Sequence, residues 1–264
     1  MIECVVNISE GQNPGKLAKL SATVTADLLD IHTDSDHHRS VFTLRGALAP
    51  RLLSASAVNL LNVHEHTGVH PRLGVVDVVP FIPLGNSTFN EAIHERNAFA
   101  QWAADELGVP SFLYGPERTL PDIRRTAWTS LFPDVGPRTA HPTAGAICVG
   151  VRKVLVAYNL FLADATMNTA REIVLNIRQP GLRALSFLVD GQAQISMNLT
   201  NVDIMNVDTA YDIVAQYANI ARAELVGLMP MQALTKIEPS RWNELDIGVD
   251  KTIEARFDEL LKAQ

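Results

Sequence analysis

Residues 182–200, LRALSFLVDGQAQISMNLT, contain two strand-like runs separated by a two-residue turn. The turn is Asp190-Gly191, and Asp-Gly between two apolar runs is a strong signal for a β-hairpin. We predict its strands over 182–189 and 192–200. The elements predicted around the hairpin are a strand over 146–160, a helix over 163–178, a helix over 208–222 and a strand over 224–229. The second half of the chain therefore has the β-α-β-β-α-β order of a ferredoxin-like motif.

The first half of the chain repeats this order. Its apolar periodicity predicts, in chain order, a strand over 2–8, a helix over 14–26, strands over 27–33 and 39–46, a helix over 50–66, a strand over 75–84, and then an extra helix over 88–107 and strand over 111–115. Residues 133–146 are rich in turn residues and are predicted to be a linker or binding loop. Residues 240–263 are predicted to form a helical tail. We predict an α/β (α+β) fold of two similar ferredoxin-like βαββαβ subdomains, 1–145 and 146–264, each a mostly antiparallel sheet with helices packed on it.

Composition and charge argue against several classes of protein. Of the 264 residues, 47% are hydrophobic and 19% are charged, which is the balance of a folded globular protein. The net charge of -7 argues against a nucleic-acid-binding protein. No apolar run approaches the ~18 residues of a membrane span, and the N-terminal MIECVVNISEG lacks the basic region of a signal peptide. Because the chain has two cysteines, Cys4 and Cys148, we expect no disulfide framework and a cytoplasmic location.

Three histidines lie close together in residues 64–81, HEHTGVHPRLGVVDVVPF: His64, His66 and His70. Two histidines at i and i+4 on one helix can bind a metal. Pro71 makes a continuous helix from His66 to His70 improbable, because proline disfavours helical backbone in the residue before it. A proton-transfer site needs only one histidine, and Pro71 restricts the backbone at His70. The pattern favours a single acid/base histidine over a metal site.

A second polar cluster, HTDSDHH at residues 32–38, keeps a metal site open as an alternative. Many basic residues lie at or near predicted strand ends and loops: Arg39, Arg45, Arg72, Arg118, Arg124, Arg125, Arg138, Arg152 and Lys153. A guanidinium offers a planar fork of donors that suits carboxylates and phosphates. We therefore expect an anionic small molecule as ligand rather than a polyanion.

Five segments, in the same order, resemble the formiminotransferase domain family. They are ECVVNISEG at 3–11, HTGVHPRLGVVDVVPFIPL at 66–84, LYG at 113–115, VGVRKVLVAYN at 149–159 and AQISMNL at 193–199. The HxGxHPRxGxxDxxPF pattern in the second segment is the most specific part. The resemblance implies transfer of a formimino group from N-formimino-L-glutamate to tetrahydrofolate, in histidine degradation and one-carbon metabolism. It also implies two similar α/β subdomains with a folate tunnel between them, and a homodimer.

The resemblance also implies roles for individual residues. His70 matches the catalytic histidine of the family and is expected to act as general acid/base. The folate-binding segment is matched by Gly136, Pro137, Arg138, Thr139, Ala140, His141, Pro142, Thr143, Ala144 and Gly145. We further expect Arg39, Arg72, His38 and His32 to bind the substrate. An imidazole with a pKa near 6.5 can take a proton from the attacking pterin nitrogen and return one to the leaving amine, so no metal is expected.

The chain departs from the family pattern at two positions. His32 stands where the family has an acidic residue, and His38 stands where it has asparagine. The chain is also shorter around 115–135 and 178–182, and within its 264 residues we expect no cyclodeaminase domain like that of bifunctional members. Three alternative functions stay open: a glutamate formyltransferase-like activity, a non-catalytic folate-binding protein, and a metal-dependent hydrolase built on residues 32–38.

Structural roles compete with functional ones at three further residues. Asp77 is predicted either to bond the backbone as a strand residue or to orient His70. Glu10 is predicted to close a turn, with substrate contact as the alternative. His64 is predicted to be a cation at the end of a helix, where positive charge is favourable.

Overall fold

A computed structural model describes residues 1–262 of the chain. These residues form two compact units, the first spanning Met1–Arg152 and the second beginning at Lys153. Each unit contains one β-sheet and buries a hydrophobic core of its own. The strand orders given below confirm the predicted fold class of two ferredoxin-like α/β subdomains.

The sheet of the first unit has six strands. They are β1 (Ile2–Ile8), β2 (Leu28–Asp34), β3 (Arg39–Arg45), β4 (Val76–Pro83), β5 (Ser111–Tyr114) and β6 (Ile147–Val151). Their order in space is β2-β3-β1-β4-β6-β5. The first four pair antiparallel, as in a ferredoxin-like sheet. Because β6 pairs in parallel with both β4 and β5, two parallel strands extend that sheet at one edge.

Four helices belong to this unit: α1 (Pro14–Ala22), α2 (Ala49–Leu60), α3 (Phe89–Leu107) and α4 (Leu120–Thr126). Local signals determine where they begin. The Asn13 side chain accepts the Lys16 N–H at the start of α1, and Thr88 and Glu91 form a capping box at the start of α3. Alternate residues of β1, including Val6, belong to the core that also contains helix residues. The residues between them, including Asn7, therefore point to the opposite face of the sheet.

The second unit repeats the ferredoxin-like arrangement. Its elements are β7 (Val156–Leu162), α5 (Met167–Asn176), β8 (Leu182–Val189), β9 (Gln192–Leu199), α6 (Val207–Ala215) and β10 (Ile220–Val226), followed by α7 (Met231–Leu234) and α8 (Ile253–Lys262). The four strands are antiparallel in the order β10-β7-β9-β8. Asp190 and Gly191 join β8 to β9 with φ angles of 48° and 74°. Positive φ at both positions is what a type I′ turn requires, so the predicted hairpin is confirmed.

The predicted single strand over 146–160 is wrong. It is two strands, β6 and β7, which belong to different sheets. The apolar pattern runs through both strands, and such a run cannot show where one buried strand ends and the next begins. Because β6 lies in the first sheet, the first unit extends to Arg152 and passes the predicted boundary between residues 145 and 146.

Several predicted helices are too long. Helix α1 ends at Ala22 instead of residue 26, and α2 ends at Leu60 instead of residue 66. After α2, the Asn62 side chain accepts the His64 N–H and starts a short 3-10 turn. An asparagine that bonds nearby backbone in this way competes with helix continuation.

In the C-terminal half, too, the predicted helices are longer than the observed ones. The predicted helix over 208–222 ends at Ala215, and β10 already begins at Ile220. Of the predicted tail over 240–263, only Ile253–Lys262 is α-helical, and residue 263 lies outside the described residues. Among residues 1–262, no helix is both long enough and apolar enough to cross a membrane.

Candidate active site

His70 lies in the loop between α2 and β4, and side chains of the loop itself hold this loop in place. The Arg72 guanidinium donates to three of its carbonyl oxygens: those of His66 at 2.8 Å, Gly68 at 3.2 Å and His70 at 3.2 Å. The His66 ring donates through Nε2 to the His38 carbonyl at 2.6 Å and accepts the Gly68 N–H at Nδ1 at 3.1 Å. These bonds fix the tautomer of His66 and the path of the backbone that leads to His70.

Gly68 allows the loop to lie directly on the turn between β2 and β3. A Cβ atom at this position would lie 2.3 Å from the His37 carbonyl oxygen and 2.5 Å from the His38 Cβ. Only glycine permits such a close approach of two backbone segments. Any side chain at residue 68 would push the loop away from the β2–β3 turn.

A buried carboxylate, Asp77 on β4, lies beneath this loop with 0% of its surface exposed. It accepts hydrogen bonds from Arg39 Nη1 at 2.7 Å, from Arg124 Nη1 at 2.8 Å and from the Leu73 N–H at 2.8 Å. Arg124 Nη2 makes a further contact with Oδ2. Burial alone would raise the pKa of Asp77, but the charges of Arg39 and Arg124 outweigh burial and lower the pKa well below its ordinary value. Asp77 is therefore ionised and bridges two guanidinium groups.

A β-bulge places Asp77 on this face of the sheet. Asn7 of β1 pairs with Val78 and the next residue, Ile8, pairs with Val76, so Asp77 is the extra residue. A bulge redirects a side chain relative to regular alternation. Asn7 belongs to the same network, since its Oδ1 accepts from Arg39 Nε at 3.0 Å.

Arg39 links this network to His70. Its Nη1 lies 3.1 Å from His70 Nδ1, and the same ring nitrogen lies 2.8 Å from the Pro71 carbonyl oxygen. Nδ1 can donate to Pro71 or accept from Arg39, but it cannot do both in one tautomer. A proton on Nδ1 leaves the lone pair of Nε2 available as a base, whereas a proton on Nε2 leaves that nitrogen able to act as an acid. Burial and, after it, the charge of Arg39 lower the pKa of His70 to about 3, so the ring is neutral at pH 7.

His38 faces a different group. Its Nε2 lies 3.1 Å from Glu10 Oε1, and its ring stacks on the His66 ring with centroids 4.2 Å apart. His38 has a φ of 50°, which is uncommon for a residue with a side chain. The structure therefore places His38 against Glu10, while its neighbour Arg39 reaches His70.

The remaining predicted substrate ligands occupy two different settings. His32 pairs with Val41 on β3, and Val41 pairs with Asn7 on β1. Because directly opposed residues share a face of a sheet, His32 lies on the same face as Asn7. Arg72, by contrast, donates to the carbonyls of its own loop, so the contacts of its guanidinium are those of a residue that positions His70.

The predicted folate-binding loop, residues 136–145, has an exposed part and a buried part. Residues 136–140 are exposed, whereas Ala144 and Gly145 are buried. The end of the loop is closed by reciprocal backbone bonds between His141 and Gly145, at 2.9 and 3.0 Å. The exposed Arg138 guanidinium lies over the Phe132 ring, 5.0 Å from its centroid.

This loop and the histidine loop are joined by hydrogen bonds. The Val63 N–H donates to the Thr143 carbonyl at 2.8 Å, and His64 Nε2 donates to the Pro142 carbonyl at 2.9 Å. The Ala146 N–H also donates to the Leu73 carbonyl at 3.0 Å. The structure thus brings together two segments that are far apart in sequence. His64 has a structural contact here, outside the Arg39–His70 network.

Two features of the network were not predicted from the sequence. They are the participation of Asn7 and the pairing of Arg124 with Asp77. Arg124 is 47 residues from Asp77 in the chain, and no local pattern links them. A usable signal was the aspartate itself, because a carboxylate in a buried strand needs cationic partners. Among the described residues, no group of three or more His, Cys, Asp or Glu side chains is arranged to hold a metal ion.

Comparison with known proteins places the chain in a family. Residues 1–152 match the formiminotransferase domain, N-terminal subdomain. The chain is 32% identical to a glutamate formimidoyltransferase of Streptococcus pyogenes serotype M1, over 90% of this chain and 91% of that protein. It is 29% identical to a glutamate formimidoyltransferase of Thermoplasma acidophilum, over 90% of each chain. The protein belongs to the formiminotransferase family.

A longer relative matches over part of its length. The chain is 33% identical to a formimidoyltransferase-cyclodeaminase of Rattus norvegicus over 89% of this chain. The match covers 51% of that protein, so the chain spans about half the length of this relative.

Proposed function

We propose that the protein transfers a formimino group from N-formimino-L-glutamate to tetrahydrofolate, with His70 as general acid/base. The observation that carries this proposal is the neutral His70 ring, held beside Arg39 and Asp77 in a loop that is bonded to residues 136–145. The names of the relatives, glutamate formimidoyltransferase and formimidoyltransferase-cyclodeaminase, support the reaction class.

The chemistry requires one group that both accepts and donates a proton. As the pterin nitrogen attacks the formimino carbon, a C–N bond forms and that nitrogen loses its proton to His70 Nε2. The bond between the formimino carbon and the glutamate nitrogen then breaks, and the imidazolium returns the proton to the leaving amine. The Pro71 carbonyl keeps Nδ1 protonated during the first step. Positive charge on Arg39 makes the imidazolium a stronger acid for the second step.

Both substrates carry carboxylates, and the loops offer cationic partners for them. Arg138 is exposed and is oriented by Phe132, which suits the glutamate tail of the folate. Arg39 is 13% exposed at its side chain and lies next to His70, which suits a carboxylate of the donor. A bound carboxylate near Arg39 would raise the pKa of His70 toward neutrality, where a general base works best.

The test measures transfer and binding separately. Purified protein is incubated with tetrahydrofolate and N-formimino-L-glutamate, and the product is detected by mass spectrometry. We expect formimino-tetrahydrofolate, and a parallel reaction with N-formyl-L-glutamate shows whether a formyl donor is used instead. Calorimetric titration measures folate binding alone. Folate binding without turnover of either donor would support a non-catalytic folate-binding protein. The lack of both folate binding and turnover would overturn the proposal.

We also propose that the protein acts as a cytoplasmic homodimer. Cys4 and Cys148 are both free and buried, which suits a reducing compartment. The dimer rests on the family resemblance, and analytical ultracentrifugation of the purified chain measures it directly. A monomer at micromolar concentration would contradict the proposed assembly.

A further inference from the structure

A polar cavity of about 270 Å³ lies between the start of α1 and the segment that follows α2. Side chains that line it include Glu10, Lys16, His38, Glu65 and His66. His70, Arg39 and Asp77 do not line it. The cavity is therefore distinct from the proposed transfer site, although His66 belongs to the same loop as His70.

Glu10 is the most deeply buried charged group of this cavity, with 4% of its surface exposed. Its Oε1 atom accepts three hydrogen bonds, from the Gln12 N–H at 2.8 Å, the Asn13 N–H at 2.9 Å and His38 Nε2 at 3.1 Å. Burial alone would raise the pKa of Glu10, but these donors outweigh burial and lower the pKa below its ordinary value. Glu10 is therefore a fixed carboxylate anion at neutral pH.

The second oxygen of Glu10 is in a different situation. Its nearest charged partner is Lys16 Nζ at 3.9 Å, which is beyond hydrogen-bonding distance. Lys16 Nζ is shared with the exposed Glu65 carboxylate, which lies 3.8 Å away. No hydrogen bond between described residues reaches Oε2. Each oxygen of a carboxylate can accept hydrogen bonds, so Oε2 keeps acceptor capacity on the cavity side.

The charge balance of the walls selects the ligand. With the rings of His38 and His66 counted as neutral, Glu10 and Glu65 contribute two negative charges and Lys16 contributes one positive charge, which leaves one negative charge in excess. His66 adds none, because burial lowers its pKa to about 4. A cation with N–H donors satisfies both the excess charge and Oε2.

We propose that this cavity binds the ammonium or amidinium group of a small organic cation through Glu10 Oε2. The site goes beyond the proposed formimino transfer, and its occupancy can be measured without folate or turnover. Failure of one proposal is therefore distinguishable from failure of the other.

The experiment is an NMR titration of the full-length protein at constant ionic strength. Acetamidinium chloride and methylammonium chloride are the probes, and tetramethylammonium chloride is the control cation without N–H donors. We expect saturable shifts of the Gln12 and Asn13 amide signals with at least one probe, because both amides donate to Glu10. We expect no such shifts with the control.

Two variants test whether the cavity binds a cation through Glu10 or an anion through Lys16. Glu10→Gln keeps an oxygen acceptor for Gln12 and Asn13 but removes the charge, so binding should weaken by at least about tenfold. Lys16→Met removes the competing ammonium, so binding of the cation should tighten. Circular dichroism confirms that each variant is folded before titration.

Three results would overturn the proposal. They are the lack of saturable shifts with both N–H cations, equal shifts with tetramethylammonium, and weaker binding in Lys16→Met. The last result would show that the cavity recognises an anion through Lys16. If Glu10→Gln does not fold, the Lys16→Met comparison with wild type still decides the question.

Discussion

Replacing Asp77 with asparagine removes the charge at the centre of the network that supports His70. Arg39 and Arg124, whose side chains are 13% and 18% exposed, then lose their shared counter-charge. The new amide N–H group also faces guanidinium donors, which cannot accept a hydrogen bond. Removing one partner of a buried ion pair costs about 3–5 kcal/mol. At about 2–4 °C per kcal/mol for a unit of this size, we expect the first unit to melt roughly 6–20 °C lower.

Differential scanning calorimetry at pH 7 measures this change, and the chain provides a matched control. Asp27→Asn breaks the pair between Asp27 and Arg45, whose side chains are 28% and 24% exposed. Pairs of this kind contribute about 0–1 kcal/mol, so the control should melt within roughly 4 °C of wild type. Equal melting temperatures for the Asp77 and Asp27 variants would refute the reasoning, because the buried network would then contribute no more than a surface pair.

Four further outcomes are expected. His70→Ala should slow formimino transfer by ~10²–10⁴-fold with little change in folate affinity or melting temperature, whereas His64→Ala should retain most activity; equal rates would remove the acid/base role. Gly68→Ala should lower kcat more than it lowers folate affinity, because its Cβ would meet the facing backbone at 2.3 Å, and unchanged kinetics would contradict that contact. Arg138→Gln should weaken folate binding in a calorimetric titration without lowering the melting temperature, and unchanged affinity would exclude its contact with the glutamate tail. Below pH 6.5 the unfolded chain protonates His66 and His70 while the folded protein, with pKa values of about 4 and about 3 for these groups, does not, so the melting temperature should fall as the pH is lowered; His66→Gln should make that slope smaller, and an unchanged slope would contradict the assignment.

The alternation of elements could be predicted because both units are built from local signals. The Asp190-Gly191 turn and the proline at the start of α1 act within a few residues of themselves. The insertion of β6 between β4 and β5 could not be predicted, because strand order depends on contacts distant in sequence. The continuous apolar run through β6 and β7 concealed the point at which the chain leaves the first sheet.

In the candidate site, too, the sequence indicated some features, whereas others depend on contacts between residues distant in the chain. The resemblance singled out His70 and the 136–145 loop, and the structure brings those segments together. The bridge between them and the sheet, Arg124 to Asp77, depends on a β-bulge that no periodicity reveals. His38 was expected at the substrate, and neither its contact with Glu10 nor its positive φ is visible in a sequence pattern.

The late position of β6 in the chain has a consequence for biosynthesis. Strand β5 is synthesised before β6, with which it pairs in the described sheet. Until residues 147–151 leave the ribosome, β5 and the adjoining edge of β4 have no strand between them. Unpaired strand edges on a nascent chain invite pairing with other chains. During the interval between synthesis of β5 and β6, the nascent chain therefore exposes strand edges that β6 later covers.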